Sequence, residues 1–302
     1  MPRHSVSGRA AGMDPISYFQ AIVLGLLQGI SELFPISSLG HSVVLPRIFG
    51  WDIHQDDDYF LSFLVATHCA TAIVLFFFFL KDWVQIFKGL GRSLRDRYIG
   101  EDDTYAKLGW LLVVGTIPAG LLGLLLEHPL RTLFASTETA AIFLFVNGLM
   151  LFGAEALRRR APVRSEQGMH SDEVISRTLT FRSAIGIGTA QALALIPGLS
   201  RSGASMGGGL LSGLSNEEAA RFAFLLATPI IGAAGVLKLP ELLGHQGDHV
   251  RGQALVGAIA AGITAYFSVK FLLRFFETNR LTPFAVYCCV VGAVLSVAFA
   301  LS

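Results

Sequence analysis

Two short polar runs carry the residues that could do chemistry. The first is QGISELFPISSLGHS, Gln28 to Ser42, and the second is QALALIPGLSRSGAS, Gln191 to Ser205. In the first, Gln28 and Glu32 are four apart and share a helix face. Pro35 ends that helix, and Ser37 and Ser38 follow where they can cap the next one. His41 lies one helical turn past Ser38 on the same side. A carboxylate, hydroxyls and an imidazole therefore meet in one short segment. Glu32 could orient or deprotonate His41, and His41 could exchange a proton with an attacking or leaving oxygen. The second run supplies what an anion needs. Ser200, Ser202 and Ser205 offer hydroxyls, and the helix start after Pro197-Gly198 offers backbone N–H groups. Arg201 adds a planar, permanently charged fork that matches phosphate oxygens.

These runs lie in membrane-grade sequence. The 302 residues are 53% hydrophobic and only 15% charged, against about 25% charged in soluble domains. An ionisable group at membrane depth costs roughly 2.5 to 3.5 kcal/mol on the mildest scale, so Glu32, His41 and Arg201 together mark a functional centre. The net charge of +1 carries no nucleic-acid signal. Cys69, Cys288 and Cys289 show no metal-ligand spacing and read as small buried hydrophobes. His68, alone in an apolar stretch, reads as a packing residue.

Six stretches are long enough to cross a bilayer: roughly 60–80, 108–127, 139–157, 219–239, 252–273 and 282–301. Regions 17–49 and 183–214 are apolar but broken by the polar runs, and each predicts a re-entrant helical hairpin. The expected fold is an all-α polytopic membrane protein with six transmembrane helices and two re-entrant hairpins. A disordered tail is expected over 1–16 and a single membrane domain over 17–302. Lys and Arg cluster in the 81–107 and 158–182 connections, which places both on the cytoplasmic side and both termini outside.

The halves also match. Ala21, Ile22, Gly25, Gln28, Ser37, Gly40 and Ser42 correspond at constant spacing to Ala184, Ile185, Gly188, Gln191, Ser200, Gly203 and Ser205. One hairpin plus three spans per half is an odd count, which predicts an inverted-topology repeat. Its halves would cover about 17–157 and 183–302, with the site at the midplane between the broken helices.

At QGISE, FPISSLGH and PGLSRSGAS the chain resembles the undecaprenyl-diphosphate phosphatases, also called bacitracin-resistance proteins. GTIPAGLLGLLLEH, FAFLLATPIIGA and TPFAVY extend the likeness over nearly all of 17–301. The resemblance implies an integral membrane enzyme that removes the terminal phosphate of undecaprenyl diphosphate, regenerating the lipid carrier of cell-wall precursors. It implies a bacterial inner-membrane location, a site open to the outer face, a divalent cation (Mg2+ or Ca2+) and no nucleic-acid partner, and it allows a homodimer. Carried over, Glu32 is the essential carboxylate and a metal ligand, Ser38 and His41 are catalytic, and Arg201 holds the diphosphate. Gln28, Ser37, Ser200, Ser202 and Ser205 line the substrate pocket. Gln28 stands where the family pattern also takes Glu, and Ser205 where Thr is common. The nucleophile stays open between Ser38 activated by His41 and His41 itself. A polyprenyl-phosphate translocator is the competing reading, because inverted repeats are a transporter feature.

Overall fold

A computed structural model describes residues 16–53, 57–134, 136–159, 169–244 and 250–301. Except for Ile16, the expected tail lies outside them. Ile16 is itself buried in a cluster with Leu24, Phe60 and Phe63.

The first helix, α1 (Tyr18–Ser31), opens on a capping box. The Ser17 hydroxyl accepts from the Gln20 N–H at 3.2 Å, and the Gln20 side chain accepts from the Ser17 N–H at 2.8 Å. The helix stops at Glu32, three residues before Pro35. Helix α2 (Ser38–Ile48) then starts, capped by Ser37, whose hydroxyl accepts from the Gly40 N–H at 3.2 Å. At 1.5 Å per residue α1 is about 21 Å long and α2 about 16 Å, and each falls short of the roughly 30 Å hydrocarbon core.

The second interruption is built in the same way. Helix α8 (Phe181–Gln191) passes through a 3-10 turn (Ala192–Leu195) and the Pro197-Gly198 bend into α9 (Arg201–Leu211). Ser200 caps α9, its hydroxyl accepting from the Gly203 N–H at 3.1 Å. Gly198 sits at φ +98°, and a Cβ there would meet the Ala140 carbonyl and the Leu144 N–H. Only glycine fits this bend.

Among the described residues six long apolar helices flank these broken segments: α3 (Asp58–Phe78), α5 (Thr104–Phe134), α6 (Thr137–Arg158), α10 (Asn216–Leu243), α11 (Arg251–Thr278) and α12 (Thr282–Leu301). Their positions match the six predicted spans within a few residues. In both halves a broken pair comes first and three long helices follow. Ile73, Phe77, Leu125, Val236, Phe267 and Val294 are exposed on the outside, the reverse of a soluble surface. The chain is a multi-pass membrane protein.

The basic 81–107 connection is not a loop. It contains α4 (Leu80–Asp96), an amphipathic helix that buries Trp83, Ile86, Gly89 and Ser93 and packs on α5. Those positions recur at helical spacing, but the surrounding Lys and Arg mask the pattern. Trp110 donates to the Ser93 hydroxyl at 2.9 Å. Arg92 donates to both oxygens of Asp103, at 3.0 and 2.8 Å, and holds that carboxyl below the usual carboxylate range. Short helix α7 (Ser171–Thr178) is tied in by Arg221 of α10, which pairs with Asp172 at 2.6 Å and with Asp82 of α4 at 3.0 Å.

The main core runs from Leu33 and Ile36 in the first break through Leu75, Leu151 and Met206 to Phe224 and Leu272. Helix α1 lies on α11, and α9 is wedged among α6, α8 and α10. At Gly29 a Cβ would run into the Ala261 carbonyl, which sets how closely α1 approaches α11. The turns themselves, residues 32–37 save the partly buried Phe34 and residues 197–200, are buried against the neighbouring helices, so irregular backbone survives there because protein covers it.

Candidate functional site

The two broken segments meet end to end. The Gly40 backbone stands against Gly198, where an added Cβ would come within 3.0 Å of the Gly198 Cα. Helices α2 and α9 therefore begin beside each other, and their N-terminal dipoles favour negative charge.

Glu32 is the hub. It caps the end of α1 and is 6% exposed. Its Oε2 accepts the Ser38 hydroxyl at 2.6 Å and the Gln28 amide at 3.1 Å. The His68 Nε2 lies 3.3 Å from the same oxygen. Its Oε1 accepts from Arg201 Nε at 3.2 Å and Nη2 at 3.1 Å. The ion pair thus bridges the two broken segments, while Arg201 Nη1 makes only a long 3.4 Å contact to the Ala223 carbonyl.

His41 is connected elsewhere. Its Nδ1 lies 2.7 Å from the Ser37 carbonyl and its Nε2 lies 2.8 Å from the Tyr287 hydroxyl. The Tyr287 ring stacks on it at 5.8 Å between centroids. A carbonyl can only accept, so Nδ1 is the donor there, while Nε2 is held by the Tyr287 hydroxyl. The hydroxyl proton of Ser38 points to Glu32, and neither ring nitrogen of His41 bonds Glu32 or Ser38.

The remaining predicted residues divide by role. Ser37 and Ser200 serve as matched helix caps. Ser37 holds φ +71°, a conformation side-chain-bearing residues rarely adopt, next to the hydroxyl on Glu32. The Ser202 hydroxyl donates to the Phe34 carbonyl at 3.0 Å and lies 3.0 Å from the Ser200 hydroxyl. Ser205 is buried one turn further on, its hydroxyl without a hydrogen-bond partner. Gln28 Oε1 is likewise buried and unpartnered beside the carboxylate.

A family model described as bacitracin resistance protein BacA matches residues 21–294. The chain belongs to the BacA family. Relatives agree along nearly the whole length. An undecaprenyl-diphosphatase of Mycolicibacterium paratuberculosis is 48% identical, covering 95% of this chain and 98% of that protein. Undecaprenyl-diphosphatase 2 of Frankia alni is 43% identical, covering 96% of this chain and all of that protein. Undecaprenyl-diphosphatase 2 of Chromobacterium violaceum is 44% identical over 91% of this chain and 96% of that one.

Three residues of this BacA-family site escaped the sequence reading. His68 reads as packing from its apolar neighbours, yet it faces Glu32. Tyr287 sits in the TPFAVY segment with no nearby polar partner, yet it holds His41. Asn147, on α6, is fully buried. Its amide donates to the Pro35 carbonyl at 2.9 Å, and its oxygen accepts from the Ser200 N–H at 3.0 Å. One side chain thereby ties the first break to the second. A lone Asn in a membrane span is a legible signal, because buried polar groups need partners. Replacing Asn147 by Leu leaves the buried Ser200 N–H unpaired, at about 1–3 kcal/mol, and the Pro35 carbonyl with only the 3.8 Å contact from Cys288 Sγ. The expected outcome is a lower thermal unfolding midpoint in detergent together with impaired turnover, read on the same sample.

Proposed function

We propose that this chain is an undecaprenyl-diphosphate phosphatase, an integral membrane hydrolase that converts the lipid diphosphate to the monophosphate and inorganic phosphate. The observation that carries the reading is the Ser38 hydroxyl, 2.6 Å from a buried carboxylate that Arg201 and His68 also contact. The names of the relatives support the same substrate and do not favour the translocator reading.

Each chain group has a task. Anionic phosphate competes with Glu32 for the Arg201 guanidinium, and the N-termini of α2 and α9 add fixed positive potential. Ser38 Oγ attacks the terminal phosphorus in line and passes its proton to Glu32 Oε2. The bond from that phosphorus to the bridging oxygen breaks, and undecaprenyl phosphate leaves with the electron pair. Water then attacks the phosphoserine, Glu32 returns the proton it holds to Ser38 Oγ as the ester bond breaks, and inorganic phosphate leaves with both hydrogens of the water. Catalysis is mostly placement and charge stabilisation, as phosphoryl transfer requires. His41 stays fixed by Ser37 and Tyr287 one turn further along α2.

A divalent cation, Mg2+ or Ca2+, belongs to this proposal. Among the described residues no group of three or more His, Cys, Asp or Glu side chains forms a metal cage. The centre does offer Glu32 and the unpartnered Gln28 Oε1 beside it. A carboxylate and a carbonyl oxygen are the ligand types a hard cation takes, and Glu32 with Gln28 would hold it there. When bound, the ion neutralises charge on the diphosphate. The distribution of Lys and Arg supports a cytoplasmic side for the 81–107 and 158–182 connections, the family resemblance implies an inner-membrane location with the site open to the outer face, and the repeated element order supports inverted halves, each with a re-entrant hairpin.

The test is inorganic phosphate release from undecaprenyl diphosphate by the purified protein in detergent. Detergent removes the two compartments, so transport cannot contribute. Release is expected to drop about tenfold or more under chelation and to return with Mg2+ or Ca2+. Monodisperse wild-type protein that releases no phosphate with either metal present would refute the assignment.

A further inference from the structure

We infer that His68 is a working part of this centre, a positioning residue that holds Glu32 with one oxygen aimed at Ser38. The inference rests on the phosphatase reading and deepens it. His68 comes from α3, outside both broken segments, and its side chain is 26% exposed while Glu32 is 6% exposed.

Hydrogen-bond bookkeeping decides what it does. His68 Nδ1 lies 2.7 Å from the Leu64 carbonyl. A carbonyl only accepts, so Nδ1 carries a hydrogen and donates. Its Nε2 lies 3.3 Å from Glu32 Oε2. Nε2 is therefore the ring atom turned to the carboxylate, and the imidazole spans from the α3 backbone to Glu32. The two imidazoles of the site face different partners, His41 the Tyr287 hydroxyl and His68 the Glu32 carboxylate.

The contact matters once substrate arrives. Glu32 is held by Arg201 on Oε1 and by Ser38, Gln28 and His68 on Oε2. The incoming phosphate competes for the Arg201 fork, and Ser38 leaves Glu32 as it attacks. Gln28 and His68 then remain as the two side chains fixing the carboxylate. Gln28 sits on the same helix as Glu32 and restrains it along that helix. His68 is the only one of the pair that ties Glu32 to a separate rigid element. A histidine placed merely to pack would be satisfied by Leu64 and would have no reason to present Nε2 to the carboxylate.

The experiment compares wild type, His68→Ala, His68→Gln and His68→Asn, each purified in detergent and checked for monodispersity and thermal midpoint. The readout is steady-state phosphate release from undecaprenyl diphosphate. His68→Ala is expected to lower kcat about 10- to 100-fold, the usual cost of losing a partner that orients a working group, with KM almost unchanged. His68→Gln places an amide N–H within reach of the same oxygen and should recover most of kcat. His68→Asn is too short to reach and should stay impaired, which keeps the comparison decisive if the Ala variant does not purify. A folded His68→Ala or His68→Asn with wild-type kcat overturns the inference, and so does His68→Gln as impaired as His68→Asn. Wild-type protein without turnover would instead overturn the phosphatase reading and this one with it.

Discussion

Glu32→Gln is expected to stop phosphate release while the protein still purifies as a folded species. The substitution keeps the shape and removes the base. In the native centre Oε2 accepts from two donors, the Ser38 hydroxyl and the Gln28 amide, with His68 Nε2 beside it. An amide NH2 at that position would face donors with a donor. The carbonyl oxygen of the new side chain could still meet Arg201, but without a charge. Removing one partner of a buried ion pair costs about 3–5 kcal/mol when the other charge stays uncompensated. Arg201 escapes part of this because its side chain keeps 12% exposure and Nη1 still reaches the Ala223 carbonyl. The catalytic loss is larger. General base catalysis alone contributes about 10²–10⁴-fold, and Ser38 also loses the acceptor that aligns it. A fall in kcat of at least about a thousandfold follows from both effects together. The check is phosphate release alongside a thermal melt. Folded Glu32→Gln with more than about a tenth of wild-type kcat would remove Glu32 from the role of base.

The legibility of this chain follows from the range of each signal. A membrane span is a local property of length and composition, so α3, α5, α6, α10, α11 and α12 could be placed from sequence. The polar runs were equally legible, because Glu32, Ser38 and Arg201 stand out in apolar surroundings, and the fold brings these three together. The connections among them were less so. Spacing put His41 beside Ser38, and the sequence reading paired them. In the folded chain the Ser37 carbonyl, one turn back, captures Nδ1, and Tyr287, 246 positions away, captures Nε2. Asn147 acts on Pro35 across 112 positions. A single apolar helix with one polar residue does not encode which distant group that residue meets. His68, Asn147 and Tyr287 therefore looked alike in sequence, as isolated polar points, although one orients the base, one joins the segments and one fixes an imidazole. Helix α4 was hidden for another reason: its basic face carried a topology signal that drew attention from the periodic Trp83, Ile86 and Ser93 beneath it.

Ser38→Ala separates the two candidate nucleophiles. If Ser38 Oγ attacks phosphorus, the variant should lose nearly all turnover, to below about a thousandth of wild-type kcat. KM should change little, because Arg201 and the two helix N-termini hold the diphosphate without this hydroxyl. Residual release would reflect water attacking a substrate still positioned by those groups. If His41 attacks instead, its Nε2 must first leave the Tyr287 hydroxyl, and removing Ser38 leaves that route open. Partial activity with a trapped phosphohistidine would then appear in Ser38→Ala. The covalent bond gives a direct readout, because a phosphoserine ester survives acid quench while phosphohistidine does not. Wild type quenched in acid during turnover with terminally labelled substrate is expected to retain label on the segment containing Ser38, and Ser38→Ala to retain none. The geometry favours this outcome on two counts. The Ser38 hydroxyl already points its proton at a carboxylate 2.6 Å away. Ser38 also opens helix α2 directly after the left-handed Ser37, so its backbone N–H lies among the free amides that favour a phosphate at that end. Full activity in folded Ser38→Ala would exclude the serine and make the bond between His41 and Tyr287 the one that opens during turnover.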